Sequence, residues 1–272
     1  MILRGDYSSD ILKTKINVQF MIPENCKGPY KIVYLLHGLH GNQGSWTDNS
    51  MLPFYGKKYD AIFVMPEASR SFYFDLKIGR KYNTFISEEL PNIIKKIFNV
   101  SGKREDCAII GYSMGGFGSL LFALSKPELY GFCGTIAPAC LYFKPVLEMI
   151  KKDTEAYLKT DYEPEEVLKD LYAIFNTDLT FRPEADVPEL AKNFPANKLK
   201  PIIYAACGTE DNLINENRRF RDEMKTTTFD FTYEEWAGKH DWNFFNEALR
   251  KALEFWYKDK IINMDSASTG DA

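Results

Sequence analysis

A serine lies between Gly111 and Gly115 in the stretch Gly-Tyr-Ser-Met-Gly. The apolar run at residues 107–110 predicts a buried strand before it, and the apolar helical spacing at 116–124 predicts a helix after it. A tight strand-to-helix turn requires small residues two positions on either side of the serine, and it lifts the serine oxygen above the sheet edge. The pattern predicts a nucleophile at Ser113. The alternative is a turn of small residues that serves only helix packing.

A serine hydroxyl is a poor nucleophile at neutral pH and needs a base within about 3 Å. The chain has three histidines: His37 and His40 follow an early predicted strand, and His240 follows the last one. Where a G-x-S-x-G turn between a strand and a helix carries the nucleophile, the order along the chain is serine, acid, histidine. Only His240 follows Ser113, which makes it the predicted base. The alternative is a loop histidine beside aromatic residues.

The acid is expected between these two residues, at the end of the penultimate predicted strand. There Glu210 and Asp211 precede a predicted helix. We predict that Asp211 fixes the tautomer of His240 and stabilises its imidazolium form without taking the proton. Glu210 is the alternative acid, and Asp211 could instead serve only as the N-cap of the helix.

An oxyanion would also need backbone donors beside the serine. The N–H of Met114, the residue after the nucleophile, is the first predicted donor, and the N–H of Leu39 in the loop after an early strand is the second. We expect His37 to brace this loop through its ring nitrogens. His37 and His40 have no third ligand at suitable spacing, so no metal site and no cofactor are expected.

The elements around these residues alternate between strand and helix patterns, which predicts an α/β fold with a mostly parallel central sheet and helices on both faces. Ligands bind such sheets at the carboxyl ends of the strands, where all the residues above lie. The predicted strands are 31–36, 61–65, 107–110, 132–136, 202–206 and 229–236, with a half-exposed antiparallel strand at 13–21, and the predicted helices are 82–98, 115–125, 213–224 and 243–258.

One segment, 141–195, interrupts this alternation with helical patterns broken by prolines. It carries twelve acidic and seven basic residues. We interpret it as a helical cap inserted over the site; a solvated acidic excursion with no part in binding is the alternative. The sequence thus predicts one α/β domain at 1–264, followed by a small polar tail at 265–272 that is expected to be disordered.

Composition narrows the class of function. A chain of 272 residues with 45% hydrophobic content can bury a full core, and a net charge of −4 argues against nucleic-acid partners. No apolar run approaches the roughly 20 residues that cross a bilayer, and the N-terminus lacks the apolar core of a signal peptide. The five cysteines include no C-x-x-C pair, which indicates a reduced, cytoplasmic setting.

Six sequence blocks occur in an order that is similar to the esterase D/feruloyl esterase family of α/β-hydrolases, close to its tributyrin-esterase-like bacterial members. The resemblance spans about 6–257 and implies the α/β-hydrolase fold. It also implies serine ester hydrolysis by Ser113, Asp211 and His240, with an oxyanion hole from Leu39 and Met114. The blocks are LHGLHGN at 36–42 with Trp46, MPE at 65–67 with SFY at 71–73, ELP at 89–91, GYSMGGFG at 111–118, GTED at 208–211 and GKHDW at 238–242.

The resemblance implies a cofactor-free carboxylesterase for small-molecule or saccharide esters with short or aromatic acyl groups, including acetyl and feruloyl esters of plant polysaccharides. The aromatic residues Trp46, Phe72, Tyr73 and Trp242 flank the motif loops and could line the pocket, with core packing as the alternative. Three other functions stay open: an S-formylglutathione thioesterase, which the acidic cap disfavours; an acyltransferase; and a non-catalytic binding protein. Assembly into a homo-oligomer is also open.

Overall fold

One mixed sheet runs through the part of the chain that the computed structural model describes, residues 1–23, 28–160 and 162–265, with side chains to residue 257. Its order is β1-β2-β4-β3-β5-β6-β7-β8. Strands β3 to β8 are mutually parallel, as the alternating pattern predicts. The strands are β1 (Ile2–Ser9), β2 (Thr14–Met21), β3 (Lys31–Leu36), β4 (Ala61–Pro66), β5 (Cys107–Tyr112), β6 (Phe132–Ile136), β7 (Ile202–Gly208) and β8 (Phe231–Trp236).

The first two strands form an antiparallel hairpin at one edge of the sheet. Strand β2 agrees with the predicted half-exposed strand, whereas β1 was not predicted. The reason is that most of the side chains of β1 are exposed, so that the strand lacks the alternation of buried and exposed residues on which such a prediction depends.

The helices cover both faces of the sheet. Consecutive residues of β3 alternate between the two cores. Tyr34 packs on the side of the helix Met114–Ser125 (α5), and Leu35 packs on the side of the helix Trp242–Asp265 (α11). This arrangement confirms the predicted α/β class. The α-helices are α1 (Ser45–Asn49), α2 (Leu52–Tyr55), α3 (Tyr82–Thr84), α4 (Leu90–Ile97), α5 (Met114–Ser125), α6 (Phe143–Lys152), α7 (Thr154–Tyr157), α8 (Pro164–Phe175), α9 (Val187–Lys192), α10 (Ile214–Met224) and α11 (Trp242–Asp265).

The helix predicted at 82–98 is interrupted by a π-helical turn, Phe85–Glu89, between α3 and α4. Pro91 lacks the N–H that would continue an α-helical ladder here, and its ring crowds the carbonyl four residues earlier, which favours a wider turn. The carboxylate of Glu89 also accepts the N–H of Asp10 at 2.8 Å and the hydroxyl of Ser9. The irregular turn therefore ties the helix to the β1–β2 hairpin.

Helices α6 to α9 form the predicted cap between β6 and β7. The cap is packed onto the body through aromatic rings: the Phe143 centroid lies 5.3 Å from Phe72, 5.2 Å from Phe117 and 5.2 Å from Phe175. Leu147 on the same helix is also buried. The cap thus extends the core on one face of the sheet. Most of the charged residues on its described helices are exposed, whereas Asp170 turns toward the body and pairs with Arg70 at 2.9 Å.

Several expectations concern residues whose structure is not described. Cys26 and residues 266–272 of the predicted tail lie outside the described residues. Within the described part, Cys107, Cys133, Cys140 and Cys207 are free thiols. No helix in that part combines the length and the apolar character needed to cross a membrane.

Replacing Leu147 with alanine tests whether the cap shares the core of the body. Because this side chain is 1% exposed, we expect Leu147→Ala to lower the free energy of unfolding by about 2–5 kcal/mol, measured by urea denaturation. Met149→Ala on the same helix is the control, since Met149 is 43% exposed and should have little effect. Equal, small effects of both changes would contradict a shared core.

Candidate active site

The turn between β5 and α5 holds Ser113 in a conformation that is rare for a residue with a side chain, with φ 55° and ψ −121°. A Cβ atom on Gly111 would lie 2.0 Å from the carbonyl oxygen of Gly115, and a Cβ on Gly115 would lie 2.4 Å from that of Leu36. Only glycine fits at either position. The predicted tight turn is therefore present.

Three hydrogen bonds fix the backbone of Ser113. Its N–H donates to the carbonyl of Ile136 at 2.9 Å, and its carbonyl accepts from the N–H groups of Phe117 at 3.1 Å and Ala139 at 3.2 Å. The serine is thus held by the end of the neighbouring strand β6 and by the loop that leads into the cap.

A chain of two hydrogen bonds links the three residues predicted from chain order. Nε2 of His240 lies 2.9 Å from Oγ of Ser113, and Nδ1 of His240 lies 2.7 Å from Oδ2 of Asp211. A carboxylate can only accept, so Nδ1 carries the proton and Nε2 faces the serine hydroxyl as an acceptor. This arrangement can take the proton of Ser113 as its oxygen attacks an electrophile.

Asp211 is hydrogen-bonded to His240, but it is not the N-cap of the helix, since α10 begins at Ile214 with Leu213 as its N-cap residue and no side-chain cap. While Oδ2 faces His240, Oδ1 accepts the N–H of Leu213 at 2.8 Å. This second bond fixes the carboxylate from the side opposite the histidine. Glu210, the alternative acid, is exposed at the surface, and His240 is hydrogen-bonded to Asp211 instead.

The loops that carry the acid and the histidine are bonded to each other. The N–H of Thr209 donates to the carbonyl of Trp236 at 2.9 Å, and the N–H of Glu210 donates to that of Gly238 at 3.0 Å. A Cβ on Gly208 would lie 2.2 Å from the same Gly238 oxygen, so the two loops approach as closely as backbone allows. The separation of Asp211 from His240 therefore depends on the pairing of β7 with β8.

The two predicted oxyanion donors, Leu39 and Met114, line the same cavity as Ser113. Met114 is the first residue of α5, and N–H groups of a first helical turn have no acceptor within the helix. Both residues therefore line the cavity that contains the serine, and their role as donors to a negatively charged oxygen stays a prediction.

His37 is buried behind the loop that carries Leu39, and both of its ring nitrogens form hydrogen bonds. Nε2 accepts the N–H of Ala68 at 3.0 Å, so the ring proton is on Nδ1, which donates to the carbonyl of Gly38 at 2.8 Å. Burial lowers the pKa of His37 and keeps the ring neutral, although nearby Glu67 opposes this shift. The predicted bracing role is confirmed.

A cavity of about 870 Å³ opens above Ser113, between the sheet edge and the cap. The cap contributes mostly apolar side chains to its wall, whereas the segments around His240 contribute both polar and apolar ones. Phe72 and Trp242 line it as predicted. Other lining residues are Leu39, His40, Met114, Ala139, Cys140, Phe143, Val146, Tyr157, Tyr162, Asn212, Leu213, Asp241 and Phe245.

Two of the predicted lining residues, Trp46 and Tyr73, do not reach the cavity, and that prediction is wrong for both. The Trp46 indole is buried behind Trp242, with ring centroids 5.5 Å apart, and its N–H donates to the carbonyl of Leu36 at 3.1 Å. The Tyr73 ring is buried, and its hydroxyl donates to the carbonyl of His37 at 2.8 Å. Both therefore support the loops around the site from behind.

The cap contributes lining residues that sequence reasoning missed. Val146, Tyr157 and Tyr162 belong to this group, and their spacing with other apolar residues is equally typical of helices that only pack. At the rim, Nε2 of His40 lies 2.9 Å from a carboxylate oxygen of Glu163 in the cap. No group of three His, Cys, Asp or Glu side chains suited to a metal ion occurs within the described ranges.

Comparisons with known proteins agree with this geometry. A family model described as "Putative esterase" matches residues 9–256. An acetyl esterase from Caldicellulosiruptor saccharolyticus is 32% identical over 231 residues, which cover 84% of this chain and 84% of that protein. An S-formylglutathione hydrolase from Bos taurus is 24% identical over 80% of this chain and 78% of that protein.

Among solved structures, the fluorophosphonate-binding serine hydrolase FphF from Staphylococcus aureus superposes with a TM-score of 0.80. It is 23% identical to this chain, and the match covers 94% of this chain and 98% of FphF. The likeness identifies the fold as that of the α/β-hydrolases, which confirms the predicted fold class.

The contact between Gly111 and Gly115 generates a prediction about the serine turn. In Gly111→Ala the added methyl group must push the backbone of Gly115 away. We therefore expect the free energy of unfolding to fall by about 1–3 kcal/mol and Ser113 to be displaced. Urea denaturation and the rate of labelling by a fluorophosphonate probe measure the two effects. Gly102→Ala is the control, because nothing lies within 4 Å of its Cβ position. Labelling of Gly111→Ala at the control's rate would contradict the proposed constraint.

Proposed function

The chain belongs to the putative esterase family, and from this premise we propose that it is a serine carboxylesterase acting on short-chain or aromatic acyl esters. The observation that supports this most directly is the hydrogen-bonded chain of Ser113, His240 and Asp211 at the floor of the cavity. Ester hydrolysis does not require a cofactor, since an activated serine and backbone hydrogen-bond donors suffice for it.

In this proposal Oγ of Ser113 attacks the ester carbonyl carbon while His240 Nε2 takes the hydroxyl proton. The negative charge that develops on the carbonyl oxygen is stabilised by the N–H groups of Leu39 and Met114. Asp211 stabilises the imidazolium through Nδ1. The tetrahedral intermediate then expels the alcohol, which receives its proton from His240. Water attacks the acyl-enzyme by the same steps in reverse, with His240 as the base, and releases the acid.

The same steps divide the cavity between the two halves of an ester. The leaving alcohol must lie beside His240, which protonates it, and there the polar residues Asn212 and Asp241 line the cavity. The acyl group then extends away from His240, toward Phe72 and Phe143 at the cap. We therefore propose an apolar acyl side and a polar alcohol side.

Size and charge favour some esters over others. A cavity of about 870 Å³ lies in the upper part of the range of roughly 300–1,000 Å³ for small-molecule sites, and it leaves room beyond an acetyl group. The similarity to an acetyl esterase supports short acyl groups, and the aromatic cap side supports aromatic ones. The acidic cap disfavours an anionic thioester such as S-formylglutathione, despite the relative of that name.

Transfer of the acyl group to a sugar hydroxyl would use the same acyl-enzyme. Analysis of the products with and without a sugar acceptor therefore distinguishes hydrolysis from transfer.

We also propose a cytoplasmic location for the protein. It is supported by the free state of the cysteines in the part of the chain that is described.

Removing the serine hydroxyl tests the nucleophile. We expect Ser113→Ala to lower kcat for p-nitrophenyl acetate and butyrate by about 10⁴-fold or more, because no other group can form the acyl-enzyme. The wild type should then be compared on methyl ferulate, acetylated xylan and S-formylglutathione. Equal rates of the two proteins would contradict the nucleophile, and preferred cleavage of S-formylglutathione would contradict the ester specificity.

The two candidate acids can be separated by isosteric changes. We expect Asp211→Asn to lower kcat by about 10⁴-fold while the protein still folds, because an amide favours the wrong tautomer of His240 yet can still accept the N–H of Leu213. Glu210→Gln is the matched control and should retain wild-type kinetics. The reverse result would assign the acid to Glu210.

A further inference from the structure

The loop at 137–142, between β6 and the cap, forms part of the cavity wall. Ala139 and Cys140 line the cavity, and the N–H of Ala139 donates to the carbonyl of Ser113 at 3.2 Å. The backbone of Ala137 has φ 42° and that of Cys140 has φ 58°, conformations that non-glycine residues keep only when their surroundings enforce them. Something outside the loop must therefore hold it.

Two consecutive side chains of α10 provide that support. The carboxylate of Glu216 accepts the N–H of Leu141 at 2.5 Å, and the N–H groups of Cys140 and Tyr142 also favour its ionised form. The buried amide of Asn217 donates to the carbonyl of Pro138 at 3.1 Å. Two neighbouring side chains of one helix thus hold the loop, one as an acceptor and one as a donor.

The loop also lies on the acyl side of the cavity. Tyr157, from the cap, and Cys140, from the loop, both line the cavity. A shift of the loop would therefore move part of the wall that an extended acyl chain contacts.

We propose that Glu216 is a positioning residue for acyl-chain recognition: its carboxylate holds the N–H of Leu141, and so fixes the loop next to Cys140 and sets the shape of the acyl side of the cavity. The proposal rests on the esterase function proposed above and adds the determinant of acyl length to it. It predicts that long acyl chains depend on Glu216 more than short ones.

The environment of Glu216 makes this support depend on pH. Burial raises the pKa of Glu216 to about 7, although the loop amides and the Arg219 guanidinium on the same helix oppose the shift. The other titratable groups that face the carboxylate are the thiol of Cys140 and the phenol of Tyr142. As the pH falls through the pKa of Glu216 the carboxyl is protonated and one of its oxygens becomes a donor, which weakens its role as an acceptor for the loop.

The test compares p-nitrophenyl hexanoate with p-nitrophenyl acetate between pH 6 and 8, using the ratio of their kcat/KM values. His240 and the oxyanion donors act on both substrates and cancel in the ratio. For the wild type we expect the ratio to rise several-fold as the pH rises through about 7, through KM for the hexanoate. A ratio that is constant with pH would overturn the proposal, and this measurement needs no variant.

Glu216→Gln should lower the ratio at pH 8 by about tenfold and make it independent of pH, because the amide has one acceptor oxygen and turns an NH₂ group toward the loop. Glu216→Asp keeps the charge and should keep the pH dependence, with a lower ratio because the side chain is shorter. Asp222→Asn, on the exposed side of the same helix, is the matched control and should follow the wild type.

The outcomes separate this proposal from the proposed function. If the wild type cleaves neither ester, the esterase function fails. If it cleaves both and Glu216→Gln keeps the wild-type ratio and pH profile, only the role of Glu216 fails. Should Glu216→Gln not fold, as judged by circular dichroism, Glu216→Asp and the wild-type pH series decide the question.

Discussion

The backbone conformation at Ser113 is the constraint on which the rest of the site depends. A residue with a side chain at φ 55° and ψ −121° costs on the order of 1–3 kcal/mol relative to an ordinary conformation. The pairing of the parallel strands offsets this cost. Gly111 is paired with Leu36 on one side and with Thr135 on the other, which places the serine between the ends of β3 and β6. The loop after β3, which carries Leu39, and the loop at 137–142 after β6 consequently reach the serine from opposite sides.

A second constraint couples the acid and the base to the sheet. Gly208 and Gly238 are in direct backbone contact, so Asp211 and His240 are positioned as one unit at the ends of β7 and β8. This unit meets the serine only because β5, β6, β7 and β8 are consecutive and parallel. The distance from His240 to Ser113 is therefore set by the order and direction of these strands in the sheet.

The sequence predicted the features that depend on local spacing or on chain order. The buried strands, the cap and the three residues Ser113, Asp211 and His240 are of this kind, because a glycine-flanked serine and strand-end polar residues leave few alternatives. The roles of Trp46 and Tyr73 could not be predicted, since adjacency to a motif does not reveal which way a ring points. Both rings face the core because the loops around the site need buried support from behind.

The cap residues around the cavity were beyond prediction for a related reason. Val146 and Tyr157 occur in helical spacing that would equally serve a closed core, and only the tertiary packing of the cap leaves them facing a cavity. Missing β1 has the opposite cause, because its exposed side chains carry no periodic signal although its backbone is fully paired with β2.

The contacts between the cap and the body differ from the base of the cap to its rim. At its base Phe143 belongs to an aromatic cluster with Phe72 and Phe117, and close-packed rings of this kind resist displacement. At the rim, His40 and Glu163 are about half exposed, and such a pair contributes only about 0–1 kcal/mol. The ion pair of Arg70 with Asp170, at 2.9 Å, is less exposed and joins the cap to the body more firmly. The cap is therefore held to the body by ring packing and by this ion pair, and only to a small extent by the exposed pair at the rim.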